Sequence, residues 1–202
     1  MRMNSLEISN LLIKAKDLST LLLHDTGTRL NHTRLVVKQA QFAIEVLDEP
    51  WKTALLLAAW LHDIGYNKDI GITKFHPLDG ARFLRDEGWP MEVCRLVAWH
   101  TNAEVEAEMR GLGQVLANEF EVPPKEAREL LAWADLTSSP TGEKCTPQER
   151  LEEILERYGS ETVVHRAIVQ AYDQLLCAAH DFQKRLSGIY PINGVSAPLS
   201  NP

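Results

Sequence analysis

The segment "FHPLDGARFLRDEGWP" carries its own helix punctuation, and such punctuation recurs along nearly the whole chain. Pro77 stands at a first helical position, where its missing N–H is no loss, Gly88 falls just past an end, and Pro90 opens the next segment. In "CTPQERLEEILERYG", Thr146 reads as an N-cap, Pro147 as the first helical residue and Gly159 as a stop. Apolar residues recur at helical spacing, no segment sustains strand-like alternation, and no internal repeat stands out. The pattern predicts helices near 5–24, 30–47, 51–65, 77–87, 91–101, 103–120, 125–137, 147–158 and 161–187. Their connections are short, so consecutive helices should pack side by side in one all-α bundle. "SSPTGEKC" (138–145) is the main internal loop and is too short to link two domains. We expect a single compact domain over residues 1–188 and a tail over 189–202, rich in turn formers, that docks loosely or is disordered.

Composition narrows the function. A chain of 202 residues can bury roughly 70% of the surface its unfolded form exposes, so it needs no disulfide staples. Cys94, Cys145 and Cys177 are far apart, odd in number and form no CxxC pair, which suits a reducing compartment. The N-terminus lacks a signal-peptide pattern and the longest apolar run, Ala54–Leu61, is too short to span a bilayer, so a cytoplasmic protein is expected. Asn31-His32-Thr33 matches a glycosylation sequon and is read as coincidence. A formal net charge of −7 argues against a long nucleic acid as partner. A small anion held by local cations or metal ions remains compatible with it.

The dipeptide His-Asp occurs three times, as His24-Asp25, His62-Asp63 and His180-Asp181. Apolar neighbours three, four and seven residues away decide which of these face a core. His62 shares a face with Leu55, Ala58 and Ala59; Asp63 shares one with Leu56, Ala59 and Trp60. His100 continues the stripe Val93, Leu96, Val97, and Asp135 continues Ala127 and Leu131. His32 begins the stripe Leu35, Val36, Ala40, Ala43, while His76 sits at an N-cap position before Pro77. His24, His165 and His180 read as surface or helix-end residues. A buried carboxylate without a partner costs several kcal/mol. Three inward histidines and two inward aspartates, with almost no apolar-face Lys or Arg to neutralise them, point to one or two divalent cations.

The order His32, His62-Asp63, Asp135, all on helices, resembles the HD-domain superfamily of metal-dependent phosphohydrolases over roughly residues 25–140. Only the His62-Asp63 dipeptide has both a histidine upstream and an aspartate downstream. The resemblance implies one metal held by His32, His62, Asp63 and Asp135. It implies a second held by Asp63, His76 and His100, with Asp63 bridging the two. Imidazole and carboxylate ligands suit Fe, Mn, Co or Zn. Many members have Lys three residues after the Asp of the motif; here that position is Tyr66, with Lys68 two further on. Tyr66, Lys68 and Arg29, one turn before His32, are the candidate substrate-binding residues. Asp79 and Arg82 read as a surface ion pair, and "QERLEEILER" as a solvated helix face.

The expected activity is hydrolysis of a phosphate ester or anhydride in a small phosphorylated molecule, a nucleotide being the leading case. Asp63 would act at the reacting centre by orienting the ions. Two rivals share the ligand set: a di-iron oxygenase on the same fold, cleaving a C–C or C–P bond, and a nucleotide-sensing module without activity.

Overall fold

The computed structural model describes residues 4–189. Among them run ten α-helices: α1 (Ser5–Leu23), α2 (Arg29–Ala43), α3 (Trp51–Leu61), α4 (His76–Asp86), α5 (Met91–Ala98), α6 (Ala103–Met109), α7 (Gly113–Glu119), α8 (Lys125–Leu136), α9 (Pro147–Arg157) and α10 (Val163–Ile189). Single 3-10 turns follow α2 at Ile44–Val46 and α3 at Ile64–Tyr66. No strand occurs among the described residues, and the expected all-α bundle is what forms. The 190–202 part of the expected tail lies outside the described residues.

Thr146 and Gly88 mark helix ends as expected, and capping boxes add to them. Asn4 and Glu7 form a reciprocal capping box on α1, and Thr146 and Glu149 form another on α9. Past α4, the Gly88 N–H donates to the Arg85 carbonyl (3.0 Å) and the Trp89 N–H to the Leu84 carbonyl (2.9 Å), with Gly88 at φ +75°. That left-handed step closes the helix and satisfies carbonyls that would otherwise be orphaned.

Three expectations need correction. The single helix over 103–120 is two helices, because Gly111 adopts φ +70° and stops α6 in the same manner. His76 is the first residue of α4, and Phe75 holds the N-cap place. Asp79 and Arg82 do not pair: the buried Asp79 carboxylate accepts the Thr73 N–H with both oxygens at 3.0 Å, while Arg82 reaches Glu119 (2.9 Å from Nε). A buried carboxylate here ties down a loop where a surface ion pair was expected.

The core centres on α3. Leu55, Leu57, Ala58, Ala59 and Leu61 are completely buried, and α3 packs against α1, α2 and α5. Each such leucine contributes about 1.5–3 kcal/mol of hydrophobic stabilisation. α8 lies on α2, and α10 covers α8, α9 and α6. Burial of most of α3, with only the Lys52, Leu56, Trp60 stripe and Trp51 half-buried, carries its C-terminal residues, His62 and Asp63, into the interior. No helix among the described residues is long and apolar enough to cross a membrane.

Candidate metal centre

Helix ends build the site. Arg29 and His32 come from the first turn of α2, His62 and Asp63 follow α3 directly, His76 opens α4, His100 lies two residues past α5, and Asp135 is in the last turn of α8. The switch from α3 into the Ile64–Tyr66 turn lets neighbouring His62 and Asp63 face one centre, which a continued helix, with 100° between them, opposes. Gly65 permits this turn to lie on α4: a Cβ there would sit 2.0 Å from the His76 carbonyl oxygen and 2.8 Å from the Gly80 nitrogen.

His32, His62, Asp63 and His100 are 0–5% exposed. Ligand atoms of His32, His62 and Asp63 lie within 4.8 Å of one another, and so do those of Asp63, His76 and His100, with Asp63 common to both groups. His62 Nε2 and His76 Nε2 stand 3.7 and 3.6 Å from Asp63 Oδ1. Asp135 belongs to neither group and adjoins the first through His32, whose Nε2 is 3.0 Å from Asp135 Oδ1. His76 Nε2 and His100 Nε2 are 3.1 Å apart. Ligand atoms about 2.0–2.2 Å from a common ion stand about 3.0–3.7 Å from each other, so these separations fit metal ligation.

Backbone carbonyls fix the imidazoles. Nδ1 of His32 faces the Ser138 carbonyl (3.0 Å), that of His62 the Ala59 carbonyl (3.1 Å) and that of His100 the Val97 carbonyl (2.6 Å). A carbonyl only accepts, so Nδ1 carries the proton in all three. In the neutral ring Nε2 is then a lone pair aimed at the cluster. His62 Nε2 is buried without a hydrogen-bond partner. Burial pushes the His62 imidazole down to about 4, outweighing the attraction of Asp63 and Asp135, so the ring is neutral near pH 7. An orphaned buried lone pair beside carboxylates is what a cation would satisfy. Burial, and then neighbouring His100, holds the His76 imidazole well below its ordinary value. Asp63 stays ionised: burial opposes its charge, but His62, Arg29 and His76 hold its carboxyl well below the usual range.

A cation already sits at one edge. Arg29 Nη1 donates to Asp63 Oδ2 (3.1 Å), and its guanidinium lies 3.2 Å above the Tyr66 ring centroid. Tyr66 stacks in turn on His76, with centroids 3.9 Å apart and 19° between planes. The Tyr66 ring is thus covered on both faces and acts as a spacer. Lys68 and Lys74 are exposed on the 67–74 segment. His24 is exposed and paired with Asp25, and His180 and Asp181 are exposed on α10. Thr137 and Ser138 turn their hydroxyls to the Trp133 and Ala134 carbonyls (2.7 and 2.8 Å), capping α8.

Two neighbours went unread in the sequence. Arg150, placed on a solvated face, is only 6% exposed and reaches to 3.9 Å of Asp135 Oδ1 while pairing with Glu153. Its position on the stripe Pro147, Arg150, Leu151, Ile154, all buried, was the available signal. Tyr158 just past α9 accepts from Arg29 Nη2 (3.4 Å), and no local pattern announces that contact. A cavity of about 260 Å³ lies elsewhere, between the Trp99–Val105 segment, α8 and α10, and no cluster residue lines it. The cavity and the converging ligand atoms lie apart, and the ligand atoms form the candidate site.

Fold and site together define an all-α bundle whose helix ends converge histidines on a shared, buried aspartate able to hold divalent metal. The HD domain model matches residues 29–157, well over half the chain and including every cluster residue, and the protein belongs to the HD-domain superfamily of metal-dependent phosphohydrolases. No curated protein and no solved structure matches the chain.

Proposed function

We infer that the protein is a phosphohydrolase acting on a small phosphorylated molecule, a nucleotide being the leading case, through a dinuclear centre. The observation that carries this reading is the sharing of Asp63 between two three-residue ligand groups, beside a buried His62 Nε2 that has no partner. His32, His62, Asp63 and Asp135 would hold one ion, and Asp63, His76 and His100 the other. Fe, Mn, Co or Zn suits this imidazole and carboxylate set. Bound there, divalent ions would polarise a phosphoryl oxygen and supply a water acidic enough to be a nucleophile near neutral pH.

The chain's own residues do the rest. Asp63 orients the centre and is the group at the reaction point. The carbonyls of Ser138, Ala59 and Val97 hold three imidazoles with their lone pairs inward. Arg29 adds a cation at the edge of Asp63, where an anionic substrate, otherwise repelled by a chain of net charge −7, would be received.

A panel of nucleotides and generic phosphate esters, run with Mn²⁺ or Fe²⁺ in parallel with an oxygen electrode, tests the reading. Phosphate or nucleotide release without oxygen uptake is expected, lost in Asp63→Ala and Asp135→Ala. Oxygen uptake by a reduced di-iron form, with no phosphate released from any ester, rejects it in favour of an oxygenase.

A further inference from the structure

The Arg29 guanidinium is fixed from three directions. Nη1 donates to Asp63 Oδ2 at 3.1 Å, Nη2 donates to the Tyr158 hydroxyl at 3.4 Å, and the Tyr66 ring lies 3.2 Å beneath the planar group. A guanidinium carries five N–H donors. Two are committed in these contacts, and the side chain keeps 19% exposure, more than Asp63 (7%), His76 (13%) or Asp135 (12%). Arg29 is therefore more exposed than those three groups, and three of its N–H donors lie outside these two contacts.

Tyr158 belongs to a different part of the chain. It is 129 residues from Arg29 and one residue beyond the segment matched by the HD domain family, 29–157. An arginine beside a lone carboxylate can swing through many rotamers, and holding it in one costs conformational entropy when substrate binds. The Tyr158 hydroxyl and the Tyr66 face meet that cost in the folded protein. They hold the guanidinium in one orientation, with Nη1 on Asp63 and Nη2 on Tyr158.

Resting on the dinuclear hydrolase reading above, we propose that Tyr158 is a positioning residue that sets Arg29 as an anion clamp at the open edge of Asp63, and that this clamp favours a terminal, dianionic phosphate over a phosphodiester. The chemistry is a count of oxygens. A phosphomonoester has three oxygens without a carbon substituent, and a diester has two. Were two ions to engage one oxygen each, a monoester would keep a third, uncoordinated oxygen for Arg29, while a diester would offer Arg29 only oxygens already shared with an ion or weakened by an ester carbon. Charge points the same way. Two divalent ions and Arg29 outweigh the carboxylates of Asp63 and Asp135, and a dianion balances the excess better than a monoanion.

The test is calorimetric binding to Mn²⁺-loaded protein with inorganic phosphate and dimethyl phosphate as probes, at about pH 8 where phosphate is dianionic. Bound manganese is counted in every sample. In the wild type, phosphate should bind more tightly than dimethyl phosphate. Tyr158→Phe, which keeps the ring and removes the hydroxyl that meets both Arg29 and Tyr66, should weaken phosphate roughly three- to tenfold and leave dimethyl phosphate and the manganese count unchanged. Arg29→Lys, which keeps the charge and loses the planar fork, should weaken phosphate at least as much. Unchanged phosphate affinity in Tyr158→Phe overturns the clamp, as does equal loss for both probes or loss of manganese in that variant. Manganese-loaded wild type that binds neither probe overturns the hydrolase reading and the clamp with it.

Discussion

His76 Nε2 and His100 Nε2 lie 3.1 Å apart, although the two residues come from the start of α4 and from beyond the end of α5. With its Nδ1 proton committed to the Val97 carbonyl, His100 presents a lone pair to His76. One proton shared between the rings, or one cation ligated by both, resolves that contact. Asp63 Oδ1, 3.6 Å from His76 Nε2, supplies the charge that favours the cation.

Metal stoichiometry follows from this arrangement. Purified protein should carry close to two ions per chain. His76→Ala and His100→Ala should each lose mainly one, and His62→Ala and Asp63→Ala should lose both. His24→Ala and His180→Ala should lose none, because both residues are exposed and neither belongs to a ligand group. Elemental analysis of the six variants decides it; unchanged metal in His76→Ala and His100→Ala would remove the second site.

Metal should also stabilise the fold. An ion that binds the native state at about 100 times its dissociation constant adds about 2.7 kcal/mol. For a chain of this size that is a rise of roughly 5–10 °C in Tm. Chelation followed by differential scanning calorimetry should show the fall, and adding Mn²⁺ back should reverse it. A Tm indifferent to chelator would mean that the buried cluster is satisfied without metal.

In metal-free protein, stability should decline on acidification. His62 has its folded value lowered to about 4 by burial, against an ordinary 6.5. Between those values the unfolded chain binds a proton that the folded chain excludes, so stability rises with pH across the window and is lost as pH falls through it. Asp63, held well below its ordinary range, acts in the same direction at lower pH, since its depressed value favours the fold only while the carboxyl is ionised. Denaturant midpoints of chelated protein at pH 7, 5.5 and 4.5 should descend in that order, and His62→Gln should flatten the upper part of the fall.

Gly65→Ala is the sharpest test of how the backbone builds the centre. The new Cβ would meet the His76 carbonyl oxygen at 2.0 Å and the Gly80 nitrogen at 2.8 Å, both backbone atoms that cannot rotate away. Overpacking of this kind costs about 1–3 kcal/mol or more. The Ile64–Tyr66 turn must part from α4, which carries His76 away from Asp63. The variant should therefore unfold earlier in denaturant and lose the second ion more readily than the first. Wild-type stability with a full metal count would show that the turn has room to shift.

Much of this molecule is legible in one dimension. Helix periodicity, N-caps and glycine stops are local, so they already specify the all-α class, most helix positions and the inward faces of His32, His62, His100 and Asp135. Even there the sequence pattern ran α6 into α7, since Gly111 stops a helix only when its backbone takes the left-handed conformation. The pairing of ends across the bundle belonged to tertiary structure alone. Arg29 meets Asp63 over 34 residues and Tyr158 over 129, His32 takes its carbonyl partner from 106 residues away, and Arg150 turns inward to Asp135 from a helix that reads as acidic surface. Side-chain periodicity reports which face of a helix is buried. It carries no information about which other helix end arrives beside that face, and in this protein the charges around Asp63 are decided by those arrivals.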